Sequence, residues 1–307
     1  MKSSNIGGQA VLEGIMMKNG PKYAVAVRKS DGEIEVKVEE YKSAIKWEKL
    51  TKIPFVRGVF NFIDSMVLGM KTLTYSASFF EEETDEEITP EQAEKQKKKE
   101  DLIMAITMVI SVVFAMGLFM ILPYFISNLF KNLIGSRFLR TVLESFVRIG
   151  LFVVYILAVS RMKDIQRTFM YHGAEHKCIN CIEQGLELNV ENVKKSSKQH
   201  KRCGTSFLFF VMVVSVIVCF FITTESQILR VVLRLALLPV IAGISYEMIK
   251  LAGNSQNPIV EFFSKPGLAL QNLTTKEPED DMIEVAIKAV EAVFDWRTYL
   301  SENFEEE

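Results

Sequence analysis

From Leu102 to Ile126 the chain reads LIMAITMVISVVFAMGLFMILPYFI, without one charged side chain. A helix of about 20 apolar residues is enough to cross the hydrocarbon core of a bilayer. In that medium every backbone polar group must find its partner within the chain, which leaves helices and closed barrels as the permitted structures. The run therefore predicts a transmembrane helix. Three more runs follow. Residues 138–160 are long enough but include Arg140, Glu144 and Arg148; residues 206–224 are uncharged; and residues 231–252 are interrupted by Pro239 and Gly243. The expected fold class is an α-helical integral membrane protein with about four transmembrane helices, in contact with the lipid bilayer.

The N-terminal stretch MKSSNIGGQAVLEG lacks the apolar core of a cleavable signal peptide, so the first hundred residues are expected to stay where they are made. Loop charge sets the orientation. Residues 161–205 contain Arg161, Lys163, Arg167, Lys177, Lys194, Lys195, Lys198, Lys201 and Arg202, whereas the loop between the first two spans offers little beyond Lys131 and Arg137. The positive-inside rule then puts residues 161–205 and both termini in the cytoplasm, for a multi-pass protein of the cytoplasmic (inner) membrane. Thiols stay reduced there, so Cys178, Cys181 and Cys203 read as ligands or free thiols. A net charge of -2 gives no sign of a nucleic-acid partner.

The chain divides into four stretches by composition. Residues 1–80 combine a small N-terminal β-hairpin, read from the alternating KYAVAVRKSDGEIEVKVEE of 22–40 around Asp31-Gly32, with an interfacial helix at 55–80, too charged at Arg57, Asp64 and Lys71 to span. Residues 81–101, acids and then lysines without apolar periodicity, read as a solvated linker. Residues 102–252 hold the spans and the cytoplasmic histidine-rich loop 161–205. In 253–307 a segment punctuated by prolines and glycine precedes an amphipathic C-terminal helix with apolar Ile283, Ala286, Ile287, Val290 and Val293; Thr274, Thr275 and the acids of 277–281 are expected as its cap and first-turn charges.

Chemistry concentrates in the loop. All three histidines of the chain lie between 172 and 200. On a helix His172 and His176 share a face one turn apart, with Glu175 on nearly the same side. The order His-x-x-Glu-His is the inverzincin pattern, in which two imidazoles bind zinc and the glutamate handles protons. His200-x-x-Cys203 adds two ligand types: His172, His176 and His200 would leave a fourth coordination position open, while Cys203 would close it. Glu183 and Glu247 are further candidates, the latter because SYEMIK returns the last span to the cytoplasmic side. Cys178-x-x-Cys181 has ligand or redox spacing but no matching second pair. Glu144 and Arg148, four residues apart, are expected to pair with each other.

Five blocks, GGQAVLEGIMM, YHGAEHKCI, HKRCGTSF, LPVIAGISYE and PGLALQNLTTKEP, resemble the successive blocks of the YqhQ family of bacterial membrane proteins (domain of unknown function 1385), over nearly the whole chain. That family is labelled a predicted metal-dependent enzyme. The resemblance implies a single integrated unit whose site draws on Glu13, His172, Glu175, His176, His200, Cys203 and Glu247; Cys178 and Cys181 are not part of the family's pattern. The leading expectation is a hydrolase-type enzyme at the cytoplasmic membrane face, with zinc or another divalent metal on His172, His176 and His200 or Cys203, and Glu175 as general base. The competing expectation is a non-enzymatic factor that binds or assembles other membrane proteins, with the same residues as a structural metal site or polar network.

Overall fold

The computed structural model describes residues 2–43, 53–80, 90–222, 224, 226–255 and 257–304. It forms two compact units, the first built from Met1–Phe80, Ile156–Val214 and Pro239–Glu307, the second from Glu81–Tyr155 and Ser215–Leu238.

In the first unit, β1 (Gly7–Val11), β2 (Gly14–Asn19), β3 (Lys22–Arg28) and β4 (Ile34–Glu40) form an antiparallel sheet in the order β1-β2-β3-β4. The expected hairpin of 22–40 is its second half, with Arg28 opposite Ile34 and Gly32 at φ 88° in the connection. The Gly-rich block supplies the first half, a second hairpin closed by Leu12 and Glu13, where Glu13 takes the left-handed φ of 48°. Apolar residues occupy both faces of the central strands because both faces are covered. Ile15, Met17 and Ala26 belong to one core with α5 (Lys163–Glu183) and α11 (Asp280–Glu291). Val11, Met16, Val25 and Val27 belong to the other, with Leu68 of α1 (Val56–Ala77).

The C-terminal amphipathic helix is thus a core element: Met282, Ile283, Val285, Ala286, Ala289 and Val290 of α11 are fully buried. Its cap differs from expectation. Thr274 and Thr275 close the preceding helix, α10 (Pro258–Thr274), and the N-cap of α11 is Glu279, followed by Asp280 and Asp281 in the first turn. The stretch punctuated by prolines is nevertheless helical: Pro258 sits in the first turn, where its missing N–H has no partner to lose, Asn257 caps the Ile259 amide, and Pro266 is accommodated inside the helix. Short helices α6 (Val190–Lys195) and α12 (Trp296–Phe304) complete this unit.

Helix α1 lies against α9 (Leu238–Asn254). Gly243 is required there, since a Cβ would come within 2.1 Å of the Phe55 carbonyl oxygen. Asn61 donates to the Tyr246 hydroxyl at 2.8 Å, and Arg57 donates from Nε and Nη2 to the two carboxylate oxygens of Glu247.

Three helical stretches are long and apolar enough to cross a membrane: Lys98–Leu129, Arg137–Val159 (α4) and Gly204–Phe221 (α7). The first comprises the latter part of α2 (Pro90–Met116), a π-helical turn over Gly117–Ile121 and α3 (Leu122–Leu129). Its N-terminal turns take up 90–101 of the stretch read as a linker; residues 81–89 lie outside the described residues. The expected fourth span is two helices, α8 (Gln227–Ala236) and α9, bent by 41°. Pro239 explains the break, because its ring displaces the carbonyl four residues earlier and it has no N–H to continue the ladder. Within the second unit the anticipated pair forms, Arg148 donating to Glu144 at 2.9 Å. Arg234 joins it at 2.8 Å, and the other edge of Arg148 donates to Ser215.

Candidate metal centre

Helix α5 is buried on every side from Gly173 to Glu183, although much of that stretch is polar. Buried polar groups are tolerated when they are hydrogen-bonded, and those of α5 spend their donors on one loop. Lys177 donates to the carbonyls of Lys194 and Ser196, and Asn180 to those of Ser197 and Gln199. From α10, the fully buried Gln271 clamps His200 from the other side, accepting from its amide at 2.9 Å and donating to its carbonyl at 2.8 Å. The path of residues 194–203 is therefore set by side chains that carry no chemistry of their own.

That path brings Cys203 to the helix face that bears His172 and His176. The imidazoles sit 4.4 Å apart between ring centroids. His172 Nδ1 meets the Thr274 carbonyl at 3.0 Å, and His176 Nδ1 meets the Lys198 carbonyl at 2.7 Å. A carbonyl only accepts, so each Nδ1 carries the proton and each Nε2 keeps its lone pair, the arrangement that prepares histidine for a metal. His172 Nε2 lies 3.4 Å from Cys203 Sγ. One ligand atom from each of His172, His176 and Cys203 falls within 4.8 Å of the others, so the group could hold a metal ion. Two imidazoles and a thiol are nitrogen and sulfur donors of the kind that bind divalent transition metals.

Glu175 stands beside this group. Its Oε2 is 3.8 Å from His172 Nε2 and has no hydrogen-bond partner among the described residues, although the residue is buried. Burial pushes the carboxyl above the usual range, against the opposing pull of His172 and the Gly8 amide that hydrogen-bonds it. Strand β1 reaches it through that glycine, since a Cβ on Gly8 would lie 2.9 Å from Glu175 Cγ. An orphaned buried carboxylate oxygen next to two imidazoles and a thiol fits a site that takes a cation.

His200 stands outside that ligand group. Its ring is 5.8 Å from that of His176, and its Nε2 faces Glu183 Oε2 at 3.5 Å. Burial pulls its pKa down against the opposing hydrogen bond from Glu183. Glu183 also accepts from the Ser4 amide and hydroxyl and from Arg202. Burial alone would raise its pKa, but His200, Arg202 and the Ser4 amide outweigh that and leave it below the usual range. Glu13 and Glu247 are engaged elsewhere. Glu13 accepts from Nε and Nη2 of Arg167, one on each carboxylate oxygen, tying the β1–β2 turn to α5, and Glu247 is held by Arg57. Cys178 and Cys181 are buried; desolvation raises the Cys178 thiol well above its ordinary value and Cys181 to about 11. Gly8, Lys177, Asn180, Gln271 and Thr274 gave no site signal in the sequence: Lys177 reads as a loop charge and Thr274 as a helix cap, and all but Asn180 lie in the quoted blocks.

A cleft of about 750 Å³ opens beside Cys203, lined by Gly8 and Arg202 near the centre and by residues of α1, α7 and α9 farther out.

Fold and site together describe a protein with three or four helices apolar enough to span a membrane, joined to a sheet-and-helix unit that carries a potential metal centre. Residues 53–296 match the family described as "Protein of unknown function (DUF1385)", and the chain belongs to that family. It is 37% identical over 286 residues to the "Uncharacterized protein YqhQ" of Bacillus subtilis (strain 168), covering 92% of this chain and 90% of that one. No solved structure matches.

Proposed function

We propose that the chain is a divalent-metal-dependent, hydrolase-type enzyme working at the cytoplasmic face of the inner membrane. The observation that carries this reading is the shared preparation of His172 and His176. A backbone carbonyl fixes Nδ1–H on each ring, so both Nε2 atoms are available near Cys203 Sγ, with the partnerless Glu175 Oε2 alongside. Three protein ligands, the number usual in catalytic zinc sites, would leave room for a reactant, and an ion held by His172, His176 and Cys203 would supply Lewis acidity. Glu175, as the carboxylate that a neighbouring cation favours, would accept a proton from an attacking water and return it to the leaving group. His200, Glu183 and Arg202 hold the loop that carries Cys203. The lysines and arginines of 161–205 set the orientation, with both termini cytoplasmic.

The test is elemental analysis of detergent-purified protein. Wild type is expected to hold close to one zinc per chain, His172→Ala and Cys203→Ser to lose it, and His200→Ala and Glu175→Gln to retain it, with Glu175→Gln failing to complement loss of the gene. Metal-free, folded wild type after zinc addition would overturn the metal centre. Full complementation by Glu175→Gln would move the protein to the reading of a membrane-protein assembly factor with a structural site.

A further inference from the structure

The cleft beside Cys203 has two kinds of wall. Toward α7, Phe62 of α1 and Phe207 stack at 5.6 Å between ring centroids, and Leu208, Leu68 and Ile249 extend the apolar surface. Phe62 and Leu208 are exposed, and Phe207 and Leu208 lie in the first turns of a helix apolar enough to cross a membrane. An apolar wall continuous with such a helix is within reach of lipid.

The same cleft also has a polar and cationic lining. Lys18 of β2 and Arg202 line it, together with Asp64. The two basic residues differ in their commitments. Arg202 is engaged by Glu183 and Ser3. Lys18 is partly buried, stands over the Tyr41 ring at 4.6 Å, and forms no ion pair among the described residues. Asp64 is held by the hydroxyls of Tyr41 and Ser43, so its charge is partly satisfied before it meets Lys18. Lys18 is therefore the less committed of the two cations that line the cleft, and Asp64 is the carboxylate that attracts it. A partly buried ammonium that shares its carboxylate with two hydroxyls is stabilised further by an anion, and the size of the cleft falls among sites for small molecules.

We propose that this cleft binds a phosphate-headed membrane lipid, its acyl chain against Phe62, Phe207 and Leu208 and its phosphate at Lys18 and Arg202. The assignment gives the metal-enzyme reading a substrate class and rests on that reading for any catalytic consequence. The binding itself has its own readout.

The experiment is native mass spectrometry of the full chain in detergent, titrated with dioleoyl-phosphatidylglycerol, with metal counted in the same samples. The wild type is expected to retain one lipid per chain, and Lys18→Gln and Phe62→Ala, neither of them in the metal centre, to weaken retention about tenfold. Absence of retained lipid, or equal retention by both variants and wild type, would overturn the proposal. Displacement of the lipid by glycerol 3-phosphate alone would likewise overturn it, since the cleft would then recognise a soluble phosphate. Metal without lipid sinks the cleft assignment and leaves the centre standing; lipid without metal does the reverse.

Discussion

Replacing Gly173 by alanine measures how tightly α10 and the loop after it are held against α5. A Cβ at this position would lie 2.0 Å from the Lys276 carbonyl oxygen, about 1.4 Å short of ordinary contact. The obstacle is backbone, anchored where the Lys276 amide donates to the Phe169 carbonyl at 2.9 Å, so no side chain can swing away. Two effects compete. Alanine favours the helix by about 1 kcal/mol over glycine, while overpacking of a closed core costs about 1–3 kcal/mol. An overlap of this size takes the upper end, for a net loss of about 2 kcal/mol. At roughly 2–4 °C per kcal/mol that lowers the melting temperature by about 4–8 °C. Displacing residue 276 also moves the Thr274 carbonyl that orients His172, and loss of such a supporting contact weakens metal binding about 10–100-fold. Thermal unfolding in detergent and zinc competition against a chelating dye read the two consequences separately. Gly150→Ala, where a Cβ meets nothing within 4 Å, is the control and is expected to be neutral or slightly stabilising. A Gly173→Ala protein as stable as wild type, with unchanged zinc affinity, would refute the reasoning.

Three other perturbations probe different parts of the chain. Cys178 and Cys181, with thiols raised by burial, are expected to resist maleimide at pH 7.5 in the folded protein and to react once it is denatured; rapid native labelling would contradict their burial. Glu183 has a depressed folded pKa, so its stabilisation is present above the ordinary carboxylate range and is lost as pH falls through the folded value. His200 is also depressed, so the unfolded chain takes up that proton first and acid destabilises the fold again. Melting temperature is therefore expected to fall from pH 7 to pH 4, and Glu183→Gln, less stable at pH 7, to show a shallower decline; an equal slope would remove Glu183 from the account. Glu144→Gln leaves Arg148 and Arg234 buried without their carboxylate and is expected to cost about 3–5 kcal/mol, read as a lower melting temperature in detergent. A change within 0.5 °C would show that the cluster is hydrated.

What the sequence disclosed follows from the range of each signal. The long helices were legible because absence of charge over 20 residues is a local property, and the His172–His176 pair because helical spacing is local too. The β3–β4 hairpin announced itself through alternation around Asp31-Gly32. The first hairpin did not, because its strands are covered on both faces and GIMM shows no polar alternation. Helix α11 was read as amphipathic when two surfaces bury it. The supports of the centre were hidden for another reason: the Thr274 and Lys198 carbonyls and the Gly8 amide are backbone groups, which any residue possesses. Lys177 and Asn180 look like solvent-facing residues until the loop carbonyls they serve are in place. His200 was as good a ligand on paper as Cys203; only the position of Glu183, seven residues beyond His176, turns its ring elsewhere.

The order in which these pieces leave the ribosome has its own consequence. The sheet is complete by residue 40, yet its covering helix α11 ends at Glu291 and its α5 partner at Glu183. At roughly 5–20 residues per second, on the order of 10–50 s separate the last strand from the helix that shields it. During that interval Ile15, Met17 and Ala26 have at most α5 against them, and the Thr274 carbonyl that steadies His172 is made only late in it. The three candidate ligands are all present once Cys203 is made, but until α10 follows them His172 lacks the carbonyl that fixes its ring, so the side chains of the group precede the backbone that orders them.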